Sequence, residues 1–278
     1  QQAALELNQA ALSYLGTKPD DPSRQVKCCL LMADVALKGD PPDRRAAQQA
    51  LGRADRWVAR LPEGSSTSAE YHYRRLQLAT ASGDEDERKK QAEWLATHGS
   101  GSPYEIAALT VVASGLDREV RKSNQQGGKG PVDQALNAFE RLSNKLGNSP
   151  KALASNKNAQ IAMTRLAHYA AATGDAERAA QSLDQLLAVF PKDRRYLRRA
   201  GLADYEAGKF DRSVRRWRPL LAGSPKDADS WFEAKYYQIK CLQQTSPEQA
   251  QKVLRQFQLL HPQLGPPAWR DKFERLTK

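Results

Sequence analysis

The chain has 278 residues, of which 40% are hydrophobic and 27% charged, and this composition excludes an intrinsically disordered protein. No stretch approaches the roughly 18 to 20 uninterrupted apolar residues of a membrane-spanning helix, so a membrane span is excluded as well. The net charge of +11 is compatible with nucleic-acid binding, but solvated Arg-rich helix faces are the commoner source of such an excess.

The amino terminus reads Gln1-Gln2-Ala3, with neither an initiator Met nor the apolar core of a signal peptide. This beginning indicates a segment of a longer soluble protein, in either the cytoplasm or the periplasm. The first predicted element is a helix near Ala3 to Leu15.

Residues 1–150 carry irregular helical hairpins. Gly39-Asp40 and Gly83-Asp84 supply turns in which glycine ends one helix and aspartate begins the next. The loop from Ser123 to Pro131 is longer than these turns. The predicted hairpins are Arg24 to Leu61, Ala69 to Thr97 and Tyr104 to Leu146.

A period of 34 residues follows. Gly174 and Gly208 are 34 positions apart, and so are Pro191 and Pro225. Apolar residues at helical spacing lie between them, the glycines end first helices, and the prolines stop second helices. The predicted pairs are Gln160 to Ala172 with Ala176 to Val189, and Arg195 to Ala207 with Phe210 to Ala222.

A third copy runs from Ala228 to Pro262, three residues longer than the second. The extra residues fit a turn that ends in Ser246-Pro247, where Ser246 is expected to cap the next helix and Pro247 to begin it. A short helix from about Pro267 to Leu276 is expected to close the array.

The second helices share one pattern: a small residue, two large apolar residues and then proline. It occurs at three places: Ala179, Leu183, Leu186 and Pro191; Ser213, Trp217, Leu220 and Pro225; Ala250, Leu254, Phe257 and Pro262. The pattern resembles the tetratricopeptide repeat (TPR) family. Lys235 departs from the family pattern of the first helices, because the first helix of the third copy has lysine at a position where the family has a small residue.

The resemblance implies an all-α fold, a right-handed α-α superhelix (a TPR-like solenoid) of about six helical hairpins plus a capping helix. It implies one domain over residues 1–278. Residues 1–150 form divergent hairpins, residues 151–262 three clearer units, and residues 263–278 the capping helix.

Catalytic and cofactor motifs are missing from the sequence. The four histidines are far apart and lack metal-ligand spacing, and Gly127-Gly128-Lys129-Gly130 lacks the spacing of a phosphate-binding loop. Three cysteines (Cys28, Cys29 and Cys241) are expected to be buried thiols, because adjacent cysteines rarely pair. We therefore predict a protein that is not an enzyme and that has no cofactor and no metal site.

First helices line the concave groove in arrays that this sequence resembles. That placement predicts a basic patch beside an aromatic one, suited to an acidic, partly apolar peptide; the alternative is an ordinary solvated face. The expected partner-binding residues are Arg165, His168, Arg195, Arg198, Leu202, Tyr205, Phe232 and Tyr236, with Asp229 and Ile239 beside them.

The predicted function is a non-enzymatic scaffold that binds a partner protein or peptide in this groove. One alternative is a docking or regulatory segment of a larger enzyme, or of a secretion or assembly component. A third hypothesis is electrostatic binding of nucleic acid, which a steep loss of affinity with salt would reveal. Side chains at equivalent repeat positions show no base-reading code, which disfavours RNA.

Overall fold

The computed structural model describes residues 6, 10, 11, 13, 21–128, 130–226 and 228–277. The predicted helix at Ala3 to Leu15 lies mostly outside them. The described residues form fourteen helices and no strand, which confirms the all-α prediction. The helices are α1 Pro22–Lys38, α2 Arg44–Val58, α3 Ser66–Ser82, α4 Glu85–His98, α5 Glu105–Gln125, α6 Val132–Leu146, α7 Pro150–Ser155, α8 Lys157–Ala172, α9 Ala176–Val189, α10 Arg194–Glu206, α11 Phe210–Gly223, α12 Asp229–Thr245, α13 Pro247–Leu260 and α14 Pro267–Leu276.

The chain divides into two compact units, residues 1–131 and residues 132–278. In the first unit, α1 packs on α2, α3 on α4, and α5 on α4, while α3 also contacts α1 and α2. The two helices of the predicted hairpin Tyr104 to Leu146 belong to different units. No helix within residues 21–128, 130–226 and 228–277 is both long and apolar enough to cross a membrane.

The second unit follows the predicted repeat. Each helix from α8 to α12 packs on the next, α6 packs on α8, and α14 packs on α12. The observed helix bounds lie within three residues of the predicted ones, and these units are TPR-like in their helix pairs and period. Sequence reasoning missed the short helix α7, which begins with Ser149 as its cap and Pro150 in its first turn.

Glycine turns join the helix pairs of the second unit as predicted, but after α1 the prediction was wrong in detail, because Gly39 has a φ of −59° and Asp43, not Asp40, caps α2. Gly174 and Gly208 have φ values of 85° and 72°, a left-handed conformation that glycine adopts without steric cost. The amide of Asp175 then donates to the carbonyl of Ala170 at 2.8 Å, and that of Lys209 donates to Asp204 at 2.7 Å, which closes the ends of α8 and α10.

The turn before α13 differs in one detail from the prediction. Pro247 is the first residue of the helix and Ser246 occupies the cap position, but the Ser246 side chain makes no capping hydrogen bond. The prediction was therefore right about the position of Ser246 and wrong about its capping bond. The backbone at Ser246 (φ −155°, ψ 79°) does not aim the hydroxyl at the amides of the first turn.

Small residues let α10 and α11 approach closely in the core. Trp217 is fully buried, and its Nε1 donates to Ser213 Oγ at 3.0 Å. Ser213 Oγ donates to the carbonyl of Gly201 at 2.8 Å and accepts from Cys241 Sγ at 3.2 Å. The predicted thiols are free, with Cys29 and Cys241 buried and Cys28 half-buried.

A cluster of ion pairs joins the helices α9, α10 and α11. Asp204 is fully buried, with Arg212 Nε at 3.2 Å and Arg216 Nε at 3.4 Å, and both arginines also contact Asp184. Burial raises the pKa of Asp204 above its ordinary value, against the opposing charges of the two arginines. The cluster neutralises part of the basic charge of α11 internally.

Lys235, the departure from the repeat pattern, is accommodated at the surface of α12. Its Nζ lies 5.4 Å from the ring centroid of Trp231 and donates to Gln238 Oε1 at 3.1 Å. The long side chain lies along apolar surface and reaches a polar partner, so lysine replaces a small residue without burying its charge unpaired.

Candidate interaction surface

The first helices α8, α10 and α12 are linked side by side in the second unit. Arg199 Nη2 on α10 donates to the main-chain oxygen of Thr164 on α8 at 3.3 Å, and the hydroxyls of Thr164 and Tyr196 lie 3.4 Å apart. Arg198 joins α10 to Glu233 on α12. We call the solvent-facing side of these three helices the first-helix face.

Two of the predicted arginines already pair with carboxylates of this chain. Arg195 Nη2 donates to Asp193 Oδ2 at 2.9 Å, although its side chain is 82% exposed. Arg198 donates two hydrogen bonds to Glu233, at 2.5 and 2.7 Å. These bonds raise the pKa of both arginines. Their charges are therefore partly compensated within the unit.

The predicted residues of α8 lie on one stripe with a residue that sequence reasoning missed. Ile161, Arg165 and His168 are spaced four and three residues apart, so they share a face of the helix. Ile161 is 49% exposed, Arg165 is half-buried, and His168 is exposed with its ring 5.0 Å from that of Tyr169. An exposed isoleucine thus stands one turn before Arg165.

Arg199 is the second residue that sequence reasoning missed. It is half-buried between α8 and α10, and its hydrogen bond to Thr164 is the one it makes among the described residues. Burial and the nearby charge of Arg165 lower its pKa. Arg199 follows Arg195 by four residues, so the two share a helix face. Arg198 follows Arg195 by three residues and fits the same rule, so spacing alone did not single out Arg199.

The half of the predicted groove that lies on α12 is largely covered. Phe232 is 3% exposed and Ile239 is fully buried, so neither is open for binding. Phe232 lies against Phe257 and His261 at the end of α13 and against Gly265 beyond it. Tyr236 is half-buried, with its ring 5.8 Å from Phe273 and 6.1 Å from Trp269 of α14. Asp229, at the start of α12, is exposed.

Leu202 and Tyr205 are half-buried near the end of α10. The ring of Tyr205 lies 5.4 Å from Tyr237 and 5.6 Å from Phe210, and Lys240 Nζ is 4.8 Å from its centroid. The exposed basic and apolar groups of the first-helix face therefore concentrate on α8 and α10.

Nearly all of the net charge lies in the second unit. Residues 132–278 hold 25 Lys and Arg against 15 Asp and Glu, whereas residues 1–131 hold 18 against 17. The excess of basic over acidic residues is therefore concentrated in one unit, although basic residues occur on helices of both units. The positive electrostatic field of the protein therefore originates mainly from residues 132–278.

The histidines and cysteines of the described residues do not come together in a metal site. Within residues 21–128, 130–226 and 228–277 no group of three or more His, Cys, Asp or Glu is arranged to hold a metal ion. His98 Nδ1 lies 3.2 Å from the carbonyl of Trp94 at the end of α4, and His98 Nε2 lies 3.1 Å from Glu63. His261 follows the last residue of α13.

No protein-family model and no curated protein matches this sequence. Among solved structures, the chain is similar to a putative kinesin light chain from Podospora anserina with nearly identical TPR-like repeats. The two share 16% identity with a TM-score of 0.41, over 69% of this chain and 91% of the other. The helical hairpins are therefore assigned from the helix–helix contacts of this chain and not from that similarity.

Proposed function

We propose that this protein is a non-enzymatic interaction module that binds an acidic, partly apolar segment of a partner protein on the first-helix face. The observation that carries the proposal is the grouping of Arg165, His168 and Arg199 with exposed Ile161 on α8 and α10. Arginine supplies planar donors for carboxylates, and an exposed isoleucine supplies apolar contact area.

An acidic protein is favoured over nucleic acid by the distribution of carboxylates and rings. Asp193 and Glu233 interrupt the basic row at Arg195 and Arg198, whereas a phosphate backbone requires a continuous positive track. Stacking of bases requires open aromatic rings, but Phe232 is buried and Tyr205 is covered by Lys240.

Site-specific photo-crosslinking tests the proposal in the full-length protein. A photoreactive residue at Ile161 or His168 is expected to capture a partner from the source cell. The same residue at exposed Arg215 or Arg218, on the second helix α11, is the matched control. Equal capture at both faces, or capture of nucleic acid alone, would refute the proposed function.

A further inference from the structure

The four arginines of α10 end on different kinds of acceptor. Arg195 and Arg198 pair with Asp193 and Glu233. Arg194 donates to the main-chain oxygen of Gly223 and to the hydroxyl of Ser224, which ties the start of α10 to the end of α11. Arg199 donates to the Thr164 carbonyl alone among the described residues. Arg199 is therefore a cation with unused donors on the first-helix face.

Holding this cation half-buried is costly. A guanidinium has five N–H donors in a planar fork, and Arg199 uses one of them within the described residues. Desolvation and the like charge of Arg165 both disfavour its charged form. A carboxylate that arrived between the two guanidinium groups would accept bidentate hydrogen bonds and offset both costs.

We infer that Arg199, assisted by Arg165, anchors the side-chain carboxylate of an Asp or Glu within the partner segment. This inference rests on the proposed function and specifies where the acidic residue binds. A side chain is favoured over a chain terminus because apolar surface lies on both sides of the pair: Ile161 precedes Arg165 by one turn on α8, and Leu202 follows Arg199 on α10. Since α9 separates these helices and reverses the chain, α8 and α10 run in the same direction. The bound segment therefore continues past its carboxylate at both ends.

Fluorescence anisotropy with a defined probe tests the anchor. The probe is a short labelled peptide of alternating Glu and Leu, amidated at its carboxyl terminus, titrated into the full chain. Arg199→Gln is expected to weaken binding about tenfold, the scale for losing a charge-assisted bidentate pair. Arg218→Gln on α11 removes the same charge and is expected to change the affinity less than about twofold.

Three controls identify the chemistry. A peptide with Gln in place of Glu is expected to bind wild type no better than it binds Arg199→Gln. Arg199→Lys keeps the charge without the fork, so it should fall between wild type and Arg199→Gln. A free carboxyl terminus on the Gln peptide should not restore binding, and if it does, a terminal carboxylate is the ligand and the inference is wrong.

Other outcomes also overturn the inference. These are no binding of the Glu peptide to wild type, equal losses for Arg199→Gln and Arg218→Gln, or an oligothymidylate that binds where the Glu peptide does not. If first-helix crosslinks persist while Arg199→Gln binds normally, the interaction module stands and the anchor alone fails. Arg165→Gln provides the same test if Arg199→Gln melts early by circular dichroism.

Discussion

Gly201 on α10 lies directly against the indole of Trp217 on α11. A Cβ at position 201 would come 2.7 Å from Trp217 Cε2 and 2.9 Å from Cζ2, closer than carbon atoms approach without a shift of structure. The glycine thus accommodates the large side chain of the neighbouring helix.

Gly201→Ala is expected to destabilise the second unit by about 1 to 3 kcal/mol, the usual cost of overpacking, despite the better helix propensity of alanine. Urea unfolding followed by circular dichroism measures it. Gly52→Ala on α2 is the control, since nothing lies within 4 Å of its added Cβ, and it should stabilise by up to about 1 kcal/mol. Equal effects at the two positions would contradict this account of the α10–α11 contact.

Trp217→Ala should cost roughly 3 to 5 kcal/mol, because a fully buried indole is lost and Ser213 loses a hydrogen-bond donor. In the Trp217→Ala background, Gly201→Ala should become nearly neutral, since its added methyl group then has space. A double-mutant cycle in urea tests both statements. Additive losses would show that the two positions do not act on each other.

His72 should make the stability of the first unit depend on pH. Its Nδ1 lies 2.5 Å from Gln91 Oε1 and its ring stacks on Trp94 at 3.5 Å, while Glu87, Arg75 and His98 lie nearby. Burial lowers the pKa of His72, so the folded state disfavours the proton that the unfolded chain binds near its ordinary pKa of about 6.5.

The free energy of unfolding should consequently fall as pH drops from about 7.5 to about 5.5, by up to about 1.4 kcal/mol per pH unit from this group. His72→Gln should reduce that slope, and urea unfolding at several pH values measures it. His261→Gln, at the end of α13 in the other unit, is the control. An unchanged slope in His72→Gln would contradict the placement of this ring.

Local chemistry explains how much of the fold the sequence predicted. Gly174 and Gly208 end helices through their own backbone conformation, and Pro247 begins one through its missing amide proton, so these boundaries need no tertiary information. The short helix α7 has start signals of the same local kind, Ser149 and Pro150, which sequence reasoning missed, whereas the assignment of α5 and α6 to different units depends on packing between helices. Residue spacing alone does not contain that packing.

The interaction surface was predicted less completely for a related reason. Helical spacing placed Arg165, Arg195 and Arg198 on the first helices, but which charges are compensated depends on distant partners. Glu233, 35 residues from Arg198, is one such partner, and these pairings single out Arg199. Phe232 was assigned to the groove because the spacing of α12 does not show that Phe257 and His261 pack against it.

The aromatic residues of α12 therefore hold the terminal helix, and Phe273→Ala tests that role. Phe273 is fully buried, stacks on Phe257 of α13 at 4.2 Å and meets the edge of Tyr236 at 5.8 Å, so its loss should cost about 3 to 5 kcal/mol. Because each repeat contacts its neighbours alone, the loss should be local: amide exchange should accelerate in α12 to α14 and stay unchanged in α8 and α9.

Trp269→Ala, on the same helix but half-buried, should have a smaller effect. Uniform acceleration across residues 132–278 would show that the unit unfolds as one cooperative block, and no change would show that α14 is not held by these rings.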